Sequence, residues 1–424
     1  FPKFTEIAGF SLIVISCFLF TEQTTWPSYN ALVPVLGAFF ILLANQQNSI
    51  FTKPKLLQWL GNNSYSIYLW HWPIVFYLYY FYEDANIYLI VAGIIFSIIL
   101  GFISYRFIEI KSRIYLIRCT KFNVYLIWFL AVLLLSIISL SIFLLKGIPS
   151  RFNHSINSIS NVSQDKNPNP NCMTPVTGTK IKSCKYGEGK VVLLVVGDSH
   201  SEAMLNGVIH ALPKNTSLIY WGMHNCPTVK GLKKINSPQH HCGNLVEKII
   251  KKMRQDYPDV PVLIINRLNM LFRGESIYDT NPIRYIKKPH SAFDDNYLNE
   301  MREAYLATLS DISAEHKVYV TRPTPEAHYE IPYTLAKSIA FGLSDKGLKI
   351  PYSQYQKRSQ DAWLAQDIAA QKYGVHIIDL SEFFCDKKYC YFTKDGIPLF
   401  LDTNHMAYSQ STLLTPYFKQ IFQK

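Results

Sequence analysis

The sequence predicts a multi-domain chain: an incomplete α-helical transmembrane bundle followed by a three-layer α/β domain on a parallel sheet. Two observations lead there. The first third is extremely apolar while the whole chain averages a mean hydropathy near zero, so an ordinary soluble remainder follows a membrane-like beginning. From Lys190 onward, short apolar runs of strand length alternate with helix-length stretches, a pattern that gives parallel pairing through right-handed crossovers. A length of 424 residues leaves room for two or three domains. The shifts in composition place helices in 1–146, a connector in 147–189 and the α/β domain in 190–424.

Five apolar segments are read in the first third: 4–21, 29–44, 64–82, 87–105 and 123–145. A spanning helix needs about 17 to 25 mostly apolar residues. The last three segments meet that comfortably; the first two are marginal, with buried soluble helices as their other reading. Lys3, then Lys53 and Lys55, then Arg106, Lys111, Arg113, Arg118 and Lys121 fall at alternate helix ends, whereas the loops 21–30 and 83–86 carry no Lys or Arg. The positive-inside rule makes the basic ends cytoplasmic. Everything after Lys146 is then expected outside the cytoplasm, which in a bacterium with two membranes is the periplasm. The formal net charge of +12 would suit nucleic acid, but a basic balance alone says little, and much of this excess lies beside hydrophobic segments. The expectation is a multi-pass protein of the bacterial inner membrane, with the lipid bilayer and not nucleic acid as its partner. Phe1 is neither an initiator Met nor the start of a signal peptide, which points to a chain that begins inside a larger protein with further N-terminal helices.

The connector 147–189 is rich in Asn, Ser, Pro and Lys and lacks apolar periodicity, so it is expected to wrap partly on the next domain without folding by itself. Eight cysteines divide unevenly. Cys17 and Cys119 lie in or beside membrane helices and are expected to be inert. The other six form local pairs on the external side, Cys172 with Cys184, Cys226 with Cys242 and Cys385 with Cys390, and neighbouring pairs in an oxidising compartment argue for disulfides. A zinc site from His224, Cys226, His241 and Cys242 is the competing reading and needs reduced thiols; no metal is expected.

In the α/β domain the expected elements are a strand at 191–196, a helix from near Ser201, and a strand at 217–221 ending at Gly222. A helix at 243–255, a strand at 262–267, a helix at 295–313 and a strand at 318–321 follow, then a helix at 354–373 and a strand at 375–380. The segment 383–401 reads as a disulfide-pinned hairpin that delivers Asp402 and His405 to the sheet edge where Ser199 stands.

The chemistry is read from Gly197-Asp198-Ser199-His200 and Asp402-Thr403-Asn404-His405. The first follows a strand and opens a helix, so Ser199 stands at the carboxyl edge of the sheet, where ligands of open α/β sheets bind. At the foot of a helix, free N–H groups can stabilise a developing oxyanion. The plainer alternative is that Asp198 and Ser199 only cap the helix. In the second motif, Asp402 can fix the tautomer of His405 so that its other nitrogen takes the serine proton. The G-x-S-x-G elbow is absent because Ser201 stands at its second glycine, which disfavours an α/β-hydrolase. His71 lies inside a span, where an imidazole is costly without a partner or a function; packing against Trp70 and Trp72 is its plainer reading. Arg106 and Glu109, one helical turn apart, read as an interfacial ion pair and, with His71, as candidates for a membrane site.

An early GDSH and a late DxxH are the first and last blocks of the SGNH (GDSL-like) hydrolase and acyltransferase family, which 190–424 resembles. The resemblance implies Ser199 as nucleophile, His405 as base and Asp402 as its orienter, with oxyanion donors sought at the N–H of Ser199, at Gly222 and at Asn266. Arg267 matches the fused members in part and Leu268 departs from them; His200 and His224 read as surface or packing residues. In the first third, SYSIYLWHWP (64–73) and SYRFIEIKSR (104–113) resemble late helices of the acyltransferase-3 family of membrane acyl transferases. The fifth segment looks like the extra span that carries fused members outward to an SGNH domain. Acetyl-CoA as acyl donor is implied by this resemblance alone, and no bound cofactor is expected.

Together these imply an O-acyltransferase, and more narrowly an O-acetyltransferase, that modifies a cell-surface glycan such as lipopolysaccharide O-antigen. A periplasmic carbohydrate esterase would use the same three residues with water as acceptor. A membrane-tethered glycan-binding module with a vestigial serine site is the non-enzymatic alternative.

Overall fold

The computed structural model describes residues 2–21, 24, 28–46, 49–82, 86–343 and 348–423, in two compact units, Phe1–Leu144 and Leu145–Lys424. The first unit consists of α1 (Pro2–Leu19), α2 (Leu32–Ala44), α3 (Lys55–Phe81), α4 (Ile87–Ser104), α5 (Ile110–Arg118) and α6 (Lys121–Leu144), so each of the five apolar segments is helical. Among the described residues, three stretches are both long and apolar enough to cross a membrane: Pro2–Leu19, Ile87–Arg118 and Lys121–Leu144. The marginal first segment therefore qualifies. By contrast α3, expected to meet the requirement comfortably, has the length but not the apolarity, because Asn62, Asn63, His71 and tyrosines such as Tyr65 and Tyr68 dilute it. Half of the loop 21–30 and most of the loop 83–86 lie outside the described residues.

Small residues set the helix approaches, as is usual where lipid supplies no hydrophobic drive between helices. A Cβ on Gly9 of α1 would lie 2.6 Å from the Gly37 carbonyl oxygen of α2, and a Cβ on Gly101 of α4 would lie 2.7 Å from the Ile67 Cα of α3.

The expected Arg106–Glu109 pair is not what forms. Tyr105–Glu109 is a π turn between α4 and α5, and its wider i→i+5 winding takes residues three apart off a common face. Glu109 instead pairs with Arg113 at 2.8 Å and accepts a hydrogen bond from Ser66 Oγ at 2.8 Å, which ties α3 to this turn. Arg106 and His71 are exposed on their helices. The three candidates for a membrane site are not bonded to one another.

The second unit begins with α7 (His154–Asn161), β1 (Met173–Thr174), β2 (Cys184–Gly187), β3 (Lys190–Gly197), α8 (Ser199–Ala211), β4 (Thr216–Met223), β5 (Lys233–Lys234), α9 (Cys242–Asp256) and β6 (Val262–Ile265). It continues with α10 (Leu268–Arg273), β7 (Arg284–Tyr285), α11 (Asp295–Ser313), β8 (Val318–Thr321), α12 (Ile331–Ala340), β9 (Lys349–Pro351), α13 (Tyr352–Tyr373) and β10 (His376–Ile378). After α14 (Ser381–Phe384), β11 (Tyr389–Tyr391), β12 (Thr393–Lys394) and β13 (Ile397–Pro398), the chain ends in α15 (Thr415–Lys419) and short flanking 3₁₀ turns. The main sheet runs β1-β4-β3-β6-β8-β10 with all of these pairs parallel, and β2 lies antiparallel on β4.

Alternation along β3 makes the layers. Leu194 and Val196 face one buried cluster, with Leu245, Val246 and Ile249 of α9 and Leu309 of α11. Leu193 and Val195 face the other, with Leu205 and Val208 of α8 and Phe418 of α15. A strand buried on both faces reads as a continuous apolar run, as Val191 to Val196 does.

The connector is more than a wrapping. β1 and β2 share the outer edge of β4, and α7 packs against α12 through Ile156, Ile159, Leu335 and Ala336, so the boundary at 190 moves upstream. Disulfides join Cys172 to Cys184, Cys226 to Cys242 and Cys385 to Cys390, and Cys17 and Cys119 are free. The zinc reading fails because both of its thiols are spent in one disulfide. The segment 383–401 is a hairpin in two pieces: the Cys385–Cys390 bridge, whose β11 pairs with β9, and the β12–β13 ladder.

Gly197 closes β3 where nothing larger fits. A Cβ there would lie 1.8 Å from the Ile265 carbonyl oxygen and 2.8 Å from Ser201 Cβ. Gly197→Ala is therefore expected to cost about 1–3 kcal/mol by overpacking, read as a lowered denaturation midpoint. An unchanged midpoint would mean that β6 can move aside freely.

Candidate active site

The turn after β3 begins with Asp198, whose extended backbone and side chain cap α8: Oδ1 accepts from His200 N at 2.9 Å. Its other oxygen accepts from Arg267 N at 2.7 Å, so the buried carboxylate joins the ends of β3 and β6. The helix consequently starts at Ser199 instead of near Ser201, and β6 stops at Ile265. With the cap supplied by Asp198, the Ser199 side chain is left for another partner. Ser199 Oγ lies 2.7 Å from His405 Nε2, across a sequence separation of 206.

His405 is held from behind. Its Nδ1 lies 2.7 Å from Asp402 Oδ2, and Asp402 Oδ1 accepts from Asn404 N at 2.8 Å and His405 N at 2.7 Å. One carboxylate thus shapes the loop and orients the ring, which places Nε2 toward the serine. Burial pushes the Asp402 carboxyl up, but the His405 hydrogen bond and charge and the two amides together hold it at about 2. It is ionised wherever an imidazolium would need a counter-charge.

Behind this pair sits His200, a packing residue as read from sequence but with a defined contact. Its Nε2 lies 3.0 Å from Asn404 Oδ1 and its ring centroid is 4.8 Å from that of His405. Burial first, then the His405 and Arg267 charges, push its pKa down to about 3, so it is a neutral strut between the serine turn and the Asp402–His405 loop. Arg267 forms a two-pronged pair with buried Glu326, at 3.1 and 2.9 Å.

The candidate oxyanion donors are placed less simply. Among the described residues the Ser199 amide, at the first residue of α8, has no acceptor. Asn266 follows β6 directly, its Oδ1 accepts from Thr228 N at 3.0 Å, and its buried Nδ2 has no partner among the described residues. Gly222 lies inside β4 in register with Gly197. Its glycine identity has a packing reason, since a Cβ would lie 2.1 Å from Met173 Sδ and 2.2 Å from Tyr220 Oη. Neither Gly222 nor Asn266 lines the cleft over Ser199.

That cleft holds about 230 Å³ and is lined by Ser199, His405, Glu202, His224, Tyr408 and Asp165–Asn167, among others. Sequence reasoning missed Glu202, Tyr408 and Asp165–Asn167. Glu202 had a signal, being one helical turn beyond Ser199. The connector residues had none: Asp165 reaches the cleft because its carbonyl accepts from Tyr408 N at 3.0 Å and its carboxylate from Ser409 N at 3.0 Å. His224, exposed at the rim, is held through its amide by the Thr174 carbonyl of β1 at 3.0 Å.

A serine, an imidazole and a carboxylate linked at the carboxyl edge of a parallel sheet, in a chain that opens with apolar helices, define an SGNH-type domain joined to a membrane unit. The chain belongs to that family: residues 171–420, more than half of it, match the model described as "SGNH domain (fused to AT3 domains)", and residues 3–106 match the "Acyltransferase domain" model. Two relatives, each named O-acetyltransferase OatA, come from Staphylococcus aureus strains NCTC 8325 / PS 47 and COL. Each is 33% identical over 115 residues, 25% of this chain and 19% of the relative, so the chain spans less than a fifth of the curated relatives it matches. The structure of the periplasmic domain of a Salmonella ser. Paratyphi A lipopolysaccharide acetyltransferase is similar with a TM-score of 0.44 and 14% identity, over 65% of this chain and 99% of that one.

The ionisable groups of the site set an acid limit on stability. Glu326 and Asp402 are both held at about 2 despite burial, Glu326 by the Arg267 and Arg358 charges. A depressed carboxyl stabilises the fold above its ordinary pKa and loses that contribution as pH falls through the folded value. Asp198, which burial pushes up to about 6 against the His200 and Arg267 amides, acts oppositely, its contribution fading as pH rises through 6. The melting temperature of the α/β unit is thus expected to climb from about pH 2 to about pH 4.5 and then to fall toward pH 6 as Asp198 loses its contribution. Melts that are flat between pH 2 and 4.5 would contradict the assignment.

Proposed function

We propose that this chain is part of an O-acetyltransferase that acetylates hydroxyls of a bacterial cell-surface polysaccharide, with lipopolysaccharide O-antigen the expected kind. The observation that carries the reading is the pair of 2.7 Å hydrogen bonds linking Ser199 to His405 and His405 to Asp402 at the floor of an open cleft. The match of 3–106 to an acyltransferase domain model and the O-acetyltransferase names of the relatives support it.

In this reading the membrane helices pass an acetyl group outward, with acetyl-CoA as the cytoplasmic donor. Ser199 Oγ attacks the acetyl carbonyl as His405 Nε2 takes its proton, and the imidazolium, stabilised by Asp402, returns the proton to the leaving group as the donor bond breaks. A sugar hydroxyl then attacks the acetyl-serine and gives its proton to His405. The ester passes to the sugar, and Ser199 Oγ regains a proton from the ring. The Ser199 amide is the candidate donor to the oxyanion; removal of one such donor typically costs about 10²–10³ in turnover. The outward placement of the domain rests on the alternating basic ends of the helices and on three disulfides, which persist in oxidising compartments.

The test uses the full chain in membranes with an acetyl donor and a defined oligosaccharide. Acetyl ester on the saccharide in excess of free acetate is the expected product. Free acetate alone would assign the esterase, and neither product would leave only the binding module.

A further inference from the structure

The cleft over Ser199 holds about 230 Å³, less than the about 300–1,000 Å³ of pockets that enclose a drug-sized ligand, which leaves room for one sugar ring. Its three acids are engaged unequally. Asp402 accepts from the His405 ring and from two amides, and Asp165 accepts from the amide and the hydroxyl of Ser409. Glu202 has no backbone donor and no paired cation among the described residues; the Asn167 side chain and the charges of His405 and Lys166 surround it. It stands in the first turn of α8, three residues on from Ser199 and on the same helix face. A carboxylate beside the nucleophile, half-buried and lining the cleft, keeps lone pairs for a ligand.

Tyr408 lines the cleft as well. Asp165 holds its amide and Asn206 its carbonyl, so its backbone is fixed from two sides. Burial first, then the Tyr186 and Glu202 charges, push its phenol up to about 12, which keeps it a neutral donor. A phenol next to a carboxylate offers a sugar both an apolar surface and an acceptor for its hydroxyls.

The charge of the lining narrows the choice of sugar. Asp165, Glu202 and Asp402 face Lys166 and, once it has taken a proton, His405. The cleft therefore stays negative throughout, and a sugar bearing a carboxylate or a phosphate would meet like charge in it. Resting on the function proposed above, we infer that the acceptor is an uncharged sugar with neighbouring hydroxyls and that Glu202 selects it, accepting a hydrogen bond from the hydroxyl beside the one acetylated. The attacking hydroxyl gives its proton to His405 Nε2 as its oxygen bonds to the acetyl carbon and the bond from that carbon to Ser199 Oγ breaks. A site built to bind a hydroxyl rejects the analogue that lacks it.

The test gives the full chain in membranes an aryl acetate as donor and three kinds of acceptor: a methyl hexopyranoside, its monodeoxy analogues and the corresponding uronate. In the parent, one deoxy analogue other than that lacking the acetylated hydroxyl is expected to fall about tenfold or more in kcat/KM, the size of one charge-assisted hydrogen bond. The uronate is expected to fall by a similar factor. In Glu202→Ala the deoxy penalty should shrink to less than about twofold, with Glu202→Gln intermediate, and the uronate penalty should narrow in both variants. Each ratio is internal to one protein, so a general loss of activity or stability in a variant cancels. A deoxy penalty that survives in Glu202→Ala, or a uronate accepted as well as the neutral sugar by the parent, would overturn the inference and leave the proposed function standing. Acetate release without transfer to any acceptor would remove that function, and the inference with it.

Discussion

Ser199→Ala is expected to lower acetyl transfer by at least about 10³-fold while leaving the stability of the α/β unit within about 0.5 kcal/mol of the parent. The two halves of that expectation come from different atoms. The Ser199 hydroxyl faces His405 Nε2 at 2.7 Å, so its removal takes away the nucleophile. The start of α8 is held by Asp198 through the His200 amide, and Ser201 Oγ donates to the Asp198 carbonyl at 2.6 Å; neither bond involves the Ser199 side chain. A loss of activity accompanied by a large loss of stability would therefore return Ser199 to the role of a cap. Transfer to saccharide and thermal melting, measured on the same preparation, separate the outcomes, and activity within tenfold of the parent would remove Ser199 from the chemistry.

The parts of this site that were legible in the sequence are those whose signal is local. GDSH and DxxH are short, and each motif organises its own turn: Asp198 caps the helix it precedes, and Asp402 bonds the amides of Asn404 and His405 within the same turn. The strands that carry them were equally plain, because a run such as Val191 to Val196 is apolar on both faces. What stayed hidden depends on partners far apart in the chain. β1 is two residues long and exists only because β4 offers its edge, so no periodicity could announce it. Asp165 reaches the cleft through contacts with residues more than two hundred positions later. The Arg106–Glu109 reading failed for the opposite reason: helical spacing was assumed through a stretch whose winding is wider.

Glu326 is the extreme of this second kind, a lone acid in an irregular segment that sequence gave no reason to single out. It is 5% exposed and its two oxygens accept from Arg267 at the end of β6, at 3.1 and 2.9 Å, and from Arg358 of α13, at 3.3 and 3.1 Å. Breaking a buried pair by removing one partner costs about 3–5 kcal/mol, because the remaining charge is left without compensation. Glu326→Ala is accordingly expected to destabilise the α/β unit by that amount, with Glu326→Gln intermediate because it keeps an acceptor but not the charge. Activity should fall as well, since the Arg267 amide holds Asp198 Oδ2 and so the turn that presents Ser199. Chemical denaturation of both variants measures the first effect, and acetyl transfer below the denaturation midpoint the second. The guanidiniums have other acceptors: Arg358 donates to the carbonyls of Arg273 and Gly274, and Arg267 to that of Glu275. A loss of less than about 1 kcal/mol, well under the usual cost of an orphaned buried charge, would mean that those carbonyls and entering water suffice, and that the carboxylate holds the serine turn in place without supporting the fold.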